Sequence, residues 1–320
     1  MYTERRRLGI ASPLVTLVFI TVALLLSCQT APSLPPGEGD VEFIPLESGG
    51  LVYLMVDVAG AGPILESLRI RGLDSGDKQF RRMLESTNSA IAAVYPVVDA
   101  EGDPAGSRFR LVATGRYPSG WAKFAMRSGR GWKGMKSAAS REKFWNSASA
   151  MISVAISRRE VRLSSFMNGE PVDPFHSGAA TEIPEGFSGF ASGAAVSCWL
   201  GDPADFINQR LAEMLIPIEI PADRIFAGIF PVPHSQSQET QYELHLRIGV
   251  SSEIQATGLA RVITTARAFF APPPDAGSTA GAFASLLFAN PIVADGRYLN
   301  IRTEAMGATE MATLLGLFAP

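Results

Sequence analysis

The side chains that most often carry enzyme chemistry are few in this sequence, and they are not spaced as known sites are. Its three histidines are His176, His234 and His245. None lies at a metal-ligand spacing from another, and there is no His-Glu-x-x-His motif. His176 and His234 are each followed by a serine, but the members of a Ser-His-Asp triad meet only through the fold. His245 lies within an alternating run, where a packed or surface histidine is expected. We expect no bound metal ion and no cofactor.

Three short motifs match catalytic or nucleotide-binding patterns only in part. Ser140-Arg-Glu-Lys143 has the letters of Ser-x-x-Lys without its companion motifs, and Gly186-Phe-Ser-Gly-Phe190 lacks a glycine that a nucleophile elbow needs. Gly60-Ala-Gly-Pro63 begins like a dinucleotide fingerprint but has no third glycine. Cys198 lies in a strand-like run and is expected to be a buried structural thiol. An envelope hydrolase whose carboxylates are assembled by the fold stays an alternative.

One segment, Arg116 to Lys143, combines cations with aromatic side chains. It holds eight basic residues against one acid, Glu142, and three of the four tryptophans lie in it or directly after it. The basic residues are Arg116, Lys123, Arg127, Arg130, Lys133, Lys136, Arg141 and Lys143; the aromatic residues are Tyr117, Trp121, Phe124 and Trp132, with Phe144 and Trp145 next. This basic-aromatic segment suits anionic headgroups, phosphorylated glycans or another polyanion. The alternative is an amphipathic helix pair with tryptophan in the core and the cations in solvent.

The N-terminus has the parts of a secretory signal. The basic cluster Arg5-Arg6-Arg7 precedes an apolar run that ends at Leu25-Leu26-Ser27-Cys28. Leu-Leu-Ser-Cys resembles the lipobox of bacterial lipoproteins, and this resemblance implies cleavage before Cys28, attachment of a diacylglycerol to its sulfur and acylation of the new amino group. A transmembrane anchor and an ordinary signal peptide are the alternatives. Each of the two leading interpretations, lipoprotein or anchor, places the remaining chain outside the cytoplasm and holds it at a membrane.

A lipoprotein of this kind would belong to the cell envelope, in the periplasm or at the outer membrane. Gln29 stands where the sorting rule of well-studied double-membrane bacteria has Asp for retention, which favours the outer membrane. The run Tyr117-Pro-Ser-Gly-Trp-Ala-Lys-Phe-Ala125, with the Gly-Trp segment after it, is also similar to uncharacterised spirochaete lipoproteins. That resemblance covers about a tenth of the chain and implies no activity. We expect a membrane partner through the lipid, an anionic lipid, glycan or protein partner besides, and no nucleic acid.

Composition indicates a globular body with two oppositely charged halves. The chain has 320 residues, is 47% hydrophobic and has a formal net charge of −3. This length suffices for one large domain or two ordinary ones. Residues 51–170 hold 18 Lys and Arg against 11 Asp and Glu, whereas residues 171–320 hold 7 Arg, no Lys and 15 acids. The halves therefore attract each other, or the basic half faces an anionic surface.

The body is predicted to be a tandem duplication. Three segments recur in the same order: the run before Pro63 and that before Pro203, 140 residues apart; Arg108–Gly115 and Gln241–Ile248, offset by 133; and Ile152–Leu163 and Asn290–Ile301, offset by 138. Each copy indicates strand, helix, strand, strand, helix, hairpin, which is close to a split βαβ unit, so the fold class is α+β. Ser119 and Ser251 are predicted to cap the second helix of each copy, and Asp295-Gly296 a hairpin turn.

These patterns predict five regions: a signal peptide (1–27), a lipidated Cys with a Pro- and Gly-rich tether (28–50), a basic α+β unit (51–170), a connector (171–190) and an acidic α+β unit with a C-terminal helix (191–320). We expect a binding or structural role toward an envelope component or partner protein. A hydrolase and a carrier that holds an apolar ligand between the units are the alternatives.

Overall fold

The structure is a computed structural model. It describes residues 46–68, 84–98, 104–128, 131–167, 169–175, 179–201, 203, 208, 221–233, 239–270 and 290–316. The signal segment, Cys28 and most of the tether lie outside the described residues, as do Arg130, His176 and His234.

Strands and helices are mixed in the described residues, of which 45% are in strands and 26% in helices. The strands are β1 (Val52–Asp57), β2 (Thr87–Val98), β3 (Pro104–Gly115), β4 (Trp132–Lys136), β5 (Lys143–Ser147), β6 (Ile152–Ile156), β7 (Glu160–Ser165), β8 (Val196–Leu200), β9 (Ala222–Val232), β10 (Gln241–Val250), β11 (Val293–Asp295), β12 (Tyr298–Arg302) and β13 (Met306–Gly307). The helices are α1 (Val58–Ser67), α2 (Ser119–Ser128), α3 (Phe187–Ala191), α4 (Glu253–Phe270) and α5 (Ala308–Gly316). The described strand pairs are antiparallel.

The chain divides into two compact units. Unit 1 comprises Met1–Gly50, Leu65–Thr181 and Leu315–Pro320, and unit 2 comprises Leu51–Ile64 and Glu182–Leu314. The sequence places Leu51 at the start of the first unit, but the structure assigns Leu51–Ile64 to unit 2. The reason is that β1 pairs with β8, with Tyr53 opposite Trp199. The rings of Tyr53 and Trp199 stack at 4.6 Å, a contact between residues far apart in the sequence.

The strands of unit 1 follow the order β2-β3-β7-β6-β5-β4. All five residues of β6, Ile-Ser-Val-Ala-Ile, are buried, which is typical of a strand covered on both faces. Residues 91–95 of β2 are buried too. The other end of this order is different, because four of the five residues of β4 are exposed.

The strands of unit 2 follow the order β11-β12-β10-β9-β8-β1, and β13 also pairs with β10. One face of β10 packs on α4, where Ile248 and Val250 meet Ala256 and Leu259. The opposite side carries an aromatic cluster in which Phe187 contacts the ring of Trp199 at 4.6 Å and that of Phe226 at 5.3 Å. The helix predicted after Ser251 is present, and Ile254 in its first turn is 86% exposed.

Two helices begin at residues other than those predicted. The segment predicted to follow Gly62-Pro63 is already helical from Val58, because the Asp57 carboxylate accepts hydrogen bonds from the backbone N–H groups of Ala59 and Gly60. Helix α4 is capped by Ser252 rather than by Ser251, since the Ser252 hydroxyl accepts from the N–H of Gln255 at 3.3 Å.

Two further expectations concern turns and the connector. The predicted hairpin joins β11 to β12, but its two turn residues are Gly296, at φ 56°, and Arg297 rather than Asp295 and Gly296, because Asp295 still pairs with Tyr298. The predicted connector is partly structured, because it contains α3 and because Ala180 pairs with Glu47.

Candidate anionic-surface site

Helix α2 turns its apolar side inward and leaves its cations accessible. Ala122 and Met126, one turn apart, are buried and form the inner face. Arg127 is exposed and Lys123 is half-buried. Phe124 is 65% exposed, so the helix presents an aromatic ring beside its cations. The helix packs against β4 and β6 of the same unit.

Tyr117 fixes the start of α2 and is part of the core. Its hydroxyl donates to the Thr87 Oγ1 at 3.2 Å, and its N–H donates to the carbonyl of Arg158 at 2.9 Å. Burial raises the pKa of the Tyr117 phenol, so it stays neutral. Of the aromatic residues in the basic-aromatic segment, Tyr117 is therefore structural.

The β4–β5 hairpin carries the second group of cations. Lys133, Lys136 and Lys143 are exposed, and Lys136 lies directly opposite Lys143. Like charges in that relation destabilise a strand pair. Met135 is 39% exposed and receives a hydrogen bond on its sulfur from the Asn146 amide at 2.7 Å.

The turn between β4 and β5 is held by Ser137. Its hydroxyl accepts from the N–H groups of Ala139 and Ser140 at 3.1 and 3.0 Å, and its own N–H donates to the carbonyl of Glu142 at 2.8 Å. Arg141 has φ 61°, which few non-glycine residues adopt. Ser140 and Lys143, the partial Ser-x-x-Lys match, thus belong to a hairpin and its turn.

No described carboxylate lies within 4.0 Å of these cations. Elsewhere in the described chain, Arg108, Arg162, Arg224 and Arg297 each lie within 4.0 Å of an acid, whereas Arg158, Arg159, Arg261 and Arg302 do not. We name the described cations of the basic-aromatic segment the basic surface: Arg116, Lys123, Arg127, Lys133, Lys136, Arg141 and Lys143. Unneutralised cations on elements that touch create a local positive potential.

The structure brings together part of the predicted site. The alternative of a helix pair is wrong in its second helix, because the described residues after α2 form the β4–β5 hairpin. Trp132 is half-buried on β4, whereas Phe144 and Trp145 are 3% exposed and belong to the core. The side chain of Trp121 and the whole of Arg130 lie outside the described residues.

Comparison with known proteins identifies a fold. No family model and no curated protein matches the chain. Among solved structures, it is similar to crystal form III of TP0453, a Treponema pallidum membrane lipoprotein, at 15% identity and a TM-score of 0.51, over 86% of this chain and 98% of that one. Crystal form IV of TP0453 is similar at 16% identity and a TM-score of 0.51, over 86% of this chain and 97% of that one. This chain shares their fold. At these identities the likeness shows the fold alone.

One polar cluster was not predicted from the sequence. Glu47, near the end of the predicted tether, lies 3.2 Å from the Arg108 Nη1 and 3.5 Å from the Arg110 Nε. Tyr95 donates to the Glu47 carbonyl at 2.9 Å, and Arg108 lies over the Tyr95 ring. Burial lowers the pKa of Arg110, and Glu47 opposes that shift. The signal was the spacing of Arg108 and Arg110, which places both on one face of β3.

In unit 2, the residues considered above as catalytic candidates pack against other side chains of the fold. His245 lies within β10, stacks on Phe230 at 4.4 Å and contacts the Glu243 carboxylate at 2.8 Å. Gly186, at φ 84°, precedes α3, whose Phe187 and Phe190 are buried. Among the described residues, no three of His, Cys, Asp and Glu are placed to hold a metal ion. In the same part of the chain, no helix has both the length and the apolarity needed to cross a bilayer.

Proposed function

We propose that this protein is a lipid-anchored envelope protein that holds its body against an anionic surface through the basic surface. Two observations support the anchor. The Leu-Leu-Ser-Cys28 sequence has lipobox form, and the fold is that of TP0453, itself a membrane lipoprotein. Cys28 would carry the lipid. A diacylglycerol on its sulfur would supply the two acyl chains that stable attachment needs.

The tether would then deliver the body to the membrane at a defined point. Ser48 donates to the carbonyl of Ala179 at 2.8 Å, and Thr181 donates to that of Leu46 at 2.7 Å. With the Glu47 contacts, these bonds make residues 46–48 part of unit 1. The chain from Cys28 would therefore reach the body at Leu46, and unit 1, the basic unit, would be held next to the lipid.

The observation that carries the proposal is the set of exposed cations without carboxylate partners, on α2 and the β4–β5 hairpin. Phe124 adds an aromatic ring that is 65% exposed beside Lys123 and Arg127. Aromatic rings favour the interface between water and lipid, and each cation near an anionic surface contributes about 1 kcal/mol. Because the tether keeps the body in a thin layer beside the bilayer, even weak contacts act at a high effective concentration.

The tandem duplication belongs to the same proposal. In unit 1 the order β6-β7-β3-β2 corresponds to β11-β12-β10-β9 in unit 2. Helix α2 follows β3 as α4 follows β10. This agreement supports an origin from one ancestral unit. Superposition of residues 87–165 on 222–302 should align Phe109 with Tyr242. A different strand direction at equivalent positions would contradict the duplication.

The test uses the chain from Gln29 onward and vesicles of neutral or anionic lipid at low salt. We expect binding to anionic vesicles alone, and loss of binding when Lys123, Arg127, Arg130 and Lys133 become Gln. The matched control replaces four exposed arginines outside the basic surface by Gln: Arg158, Arg159, Arg261 and Arg302. Equal binding to both vesicle types, or an equal loss in the control, would contradict the proposal. Salt should weaken binding, because screening acts within about 8 Å at physiological ionic strength.

The anchor is tested separately. Cys28→Ala should yield a protein that keeps its signal segment and carries no lipid. Mass spectrometry of the mature N-terminus reads both properties. A wild-type N-terminus without an acyl group on Cys28 would remove the lipoprotein part and leave the vesicle test unaffected.

A further inference from the structure

The outer edge of β4 is open within the described residues. β4 ends the strand order of unit 1 and pairs there with β5 alone. A strand in this position presents a row of unpaired N–H and C=O groups that another extended chain can join. Residues 133–136 are all exposed, and among the described strands β5 alone pairs with β4.

The hairpin register identifies the groups that point outward. Ser137 donates to the carbonyl of Glu142, which makes that pair a hydrogen-bonded one. In an antiparallel ladder, hydrogen-bonded and non-hydrogen-bonded pairs alternate. Counting back from Ser137, Lys133 and Met135 bond to β5, whereas Trp132, Gly134 and Lys136 direct their N–H and C=O groups away from it. The open edge therefore offers three outward N–H and three outward C=O groups.

Cations flank this edge on both faces of the strand. Lys136 and its opposite neighbour Lys143 lie on one face and Lys133 lies on the other, next to Met135. Lys136 and Lys143 form a non-hydrogen-bonded pair, the closer of the two kinds. A flat membrane meets one face of a strand at a time, whereas an extended ligand lying along the edge meets both.

We infer that β4 accepts an extended acidic segment of a partner protein as an additional strand. Backbone bonding to Trp132, Gly134 and Lys136 supplies the affinity, and side-chain alternation supplies the selectivity. An acid opposite Lys136 relieves its repulsion with Lys143, and an apolar residue on the other face packs on Met135. A second copy of β4 is a poor occupant, because it would bring lysines against lysines.

Gly134 allows a selective test. Proline at this position removes one outward N–H and leaves the bonds to β5 intact, which is how edge strands tolerate proline. A Cβ added at Gly134 would lie 3.8 Å from the Trp145 Nε1, an ordinary contact, so a side chain fits. Gly134→Ala, which keeps the N–H, is the matched control.

The experiment measures binding of a labelled peptide of alternating Glu and Val to the chain from Gln29 onward. We expect saturable binding, a loss of about tenfold or more with Gly134→Pro, no change with Gly134→Ala, and a loss of about fivefold or more when the peptide has Gln for Glu. Amide hydrogen exchange should slow at Gly134 and Lys136 in the complex. Equal affinity for Gly134→Pro that retains wild-type exchange at β5 would overturn the inference.

A charge exchange covers the case in which Gly134→Pro does not fold. Lys136→Glu with Lys143→Glu should reject the Glu/Val peptide and bind a Lys/Val peptide. Failure to exchange preference would also overturn the inference. The chain's own acids Glu38, Asp40 and Glu42 alternate in the tether. If the peptide binds only after these become Gln, Asn and Gln, the occupant is this chain and the inference of a separate partner is wrong.

This inference does not rest on the proposed function. Gly134→Pro keeps every cation, so it should bind anionic vesicles as the wild type does. The fourfold Gln variant of the vesicle test keeps the outward N–H of Gly134 and Lys136. The two proposals can therefore fail independently.

Discussion

Unit 1 and unit 2 share an order of strands but differ in what they add to it. Unit 1 contains the β4–β5 hairpin, for which the described part of unit 2 has no counterpart in its strand order. Most of the basic surface lies on that hairpin and on α2, whereas the corresponding helix α4 has Arg261 as its described exposed cation. Unit 2 instead concentrates aromatic rings around Phe187 and Trp199. The comparison teaches that the charge difference resides in exposed elements, while the shared strands supply the core.

The largest expected difference is between an aromatic residue of each unit. Trp199 in unit 2 is 2% exposed and contacts Tyr53 and Phe187. Trp199→Ala should lower the free energy of unfolding by about 3–5 kcal/mol, because it leaves a cavity. Phe124→Ala in unit 1 should change it by less than about 0.5 kcal/mol, since that ring is exposed. Urea unfolding measures both; equal costs would contradict the contrast.

The second comparison concerns a glutamate in each unit. Glu47 in unit 1 lies against Arg108 and the buried Arg110, so Glu47→Gln should lower the free energy of unfolding by about 1–3 kcal/mol. Glu185 in unit 2 pairs with Arg224, but its side chain is 82% exposed. Glu185→Gln should cost less than about 0.5 kcal/mol.

Urea unfolding at matched pH gives both values. Limited proteolysis before Leu46 should also become faster in Glu47→Gln alone, because loosening of the Glu47 contacts frees residues 46–48. An unchanged cleavage rate would show that the backbone bonds to residues 179–181 suffice.

A third comparison uses two glycines. A Cβ at Gly228 in unit 2 would lie 2.7 Å from the Phe230 ring and 3.2 Å from the Phe190 ring. Gly228→Ala should therefore cost about 1–3 kcal/mol, because the ring that stacks on His245 must move. Gly134→Ala in unit 1 should stay within about 0.5 kcal/mol. The shift in unfolding midpoint reads both, and equal shifts would contradict the contrast.

The smallest expected effect on stability comes from the titration of the Cys198 thiol. Burial of the thiol raises its pKa to about 11, although part of the residue is accessible. Folded protein should therefore resist iodoacetamide at pH 8 and react after unfolding. Because the folded pKa lies above the unfolded value of about 9, the stabilising contribution is complete below pH 9 and is lost as pH rises through 11. Rapid alkylation of the folded protein would contradict this.

The sequence predicted what depends on local pattern. Alternation identified β10, and Asp295-Gly296 identified the β11–β12 hairpin, although its turn residues are Gly296 and Arg297. Of the site residues, Lys133 and Lys136 are accessible as expected. Such features follow from neighbours in the chain, which periodicity reads directly.

The rest depends on contacts between distant residues. Nothing near Trp145 distinguishes a surface tryptophan from one in the core; its burial comes from the pairing of β5 with β6. The contact of Glu47 with Arg108 spans 61 residues, and the pairing of β1 with β8 joins strands on either side of unit 1 in the sequence. The periodicity of residues along the chain does not indicate which distant segments pair.

The contacts of Glu47 also determine how a mechanical load enters the molecule. Tension applied through the N-terminal segment reaches unit 1 at residues 46–48, where two backbone bonds, an ion pair and the Tyr95 hydroxyl share it. Those partners lie on β2, on β3 and at residues 179–181, so the force is spread over three separate segments before it reaches the core. A drag on the anchored chain would thus be resisted at its point of attachment, and the strands behind that point would keep their register.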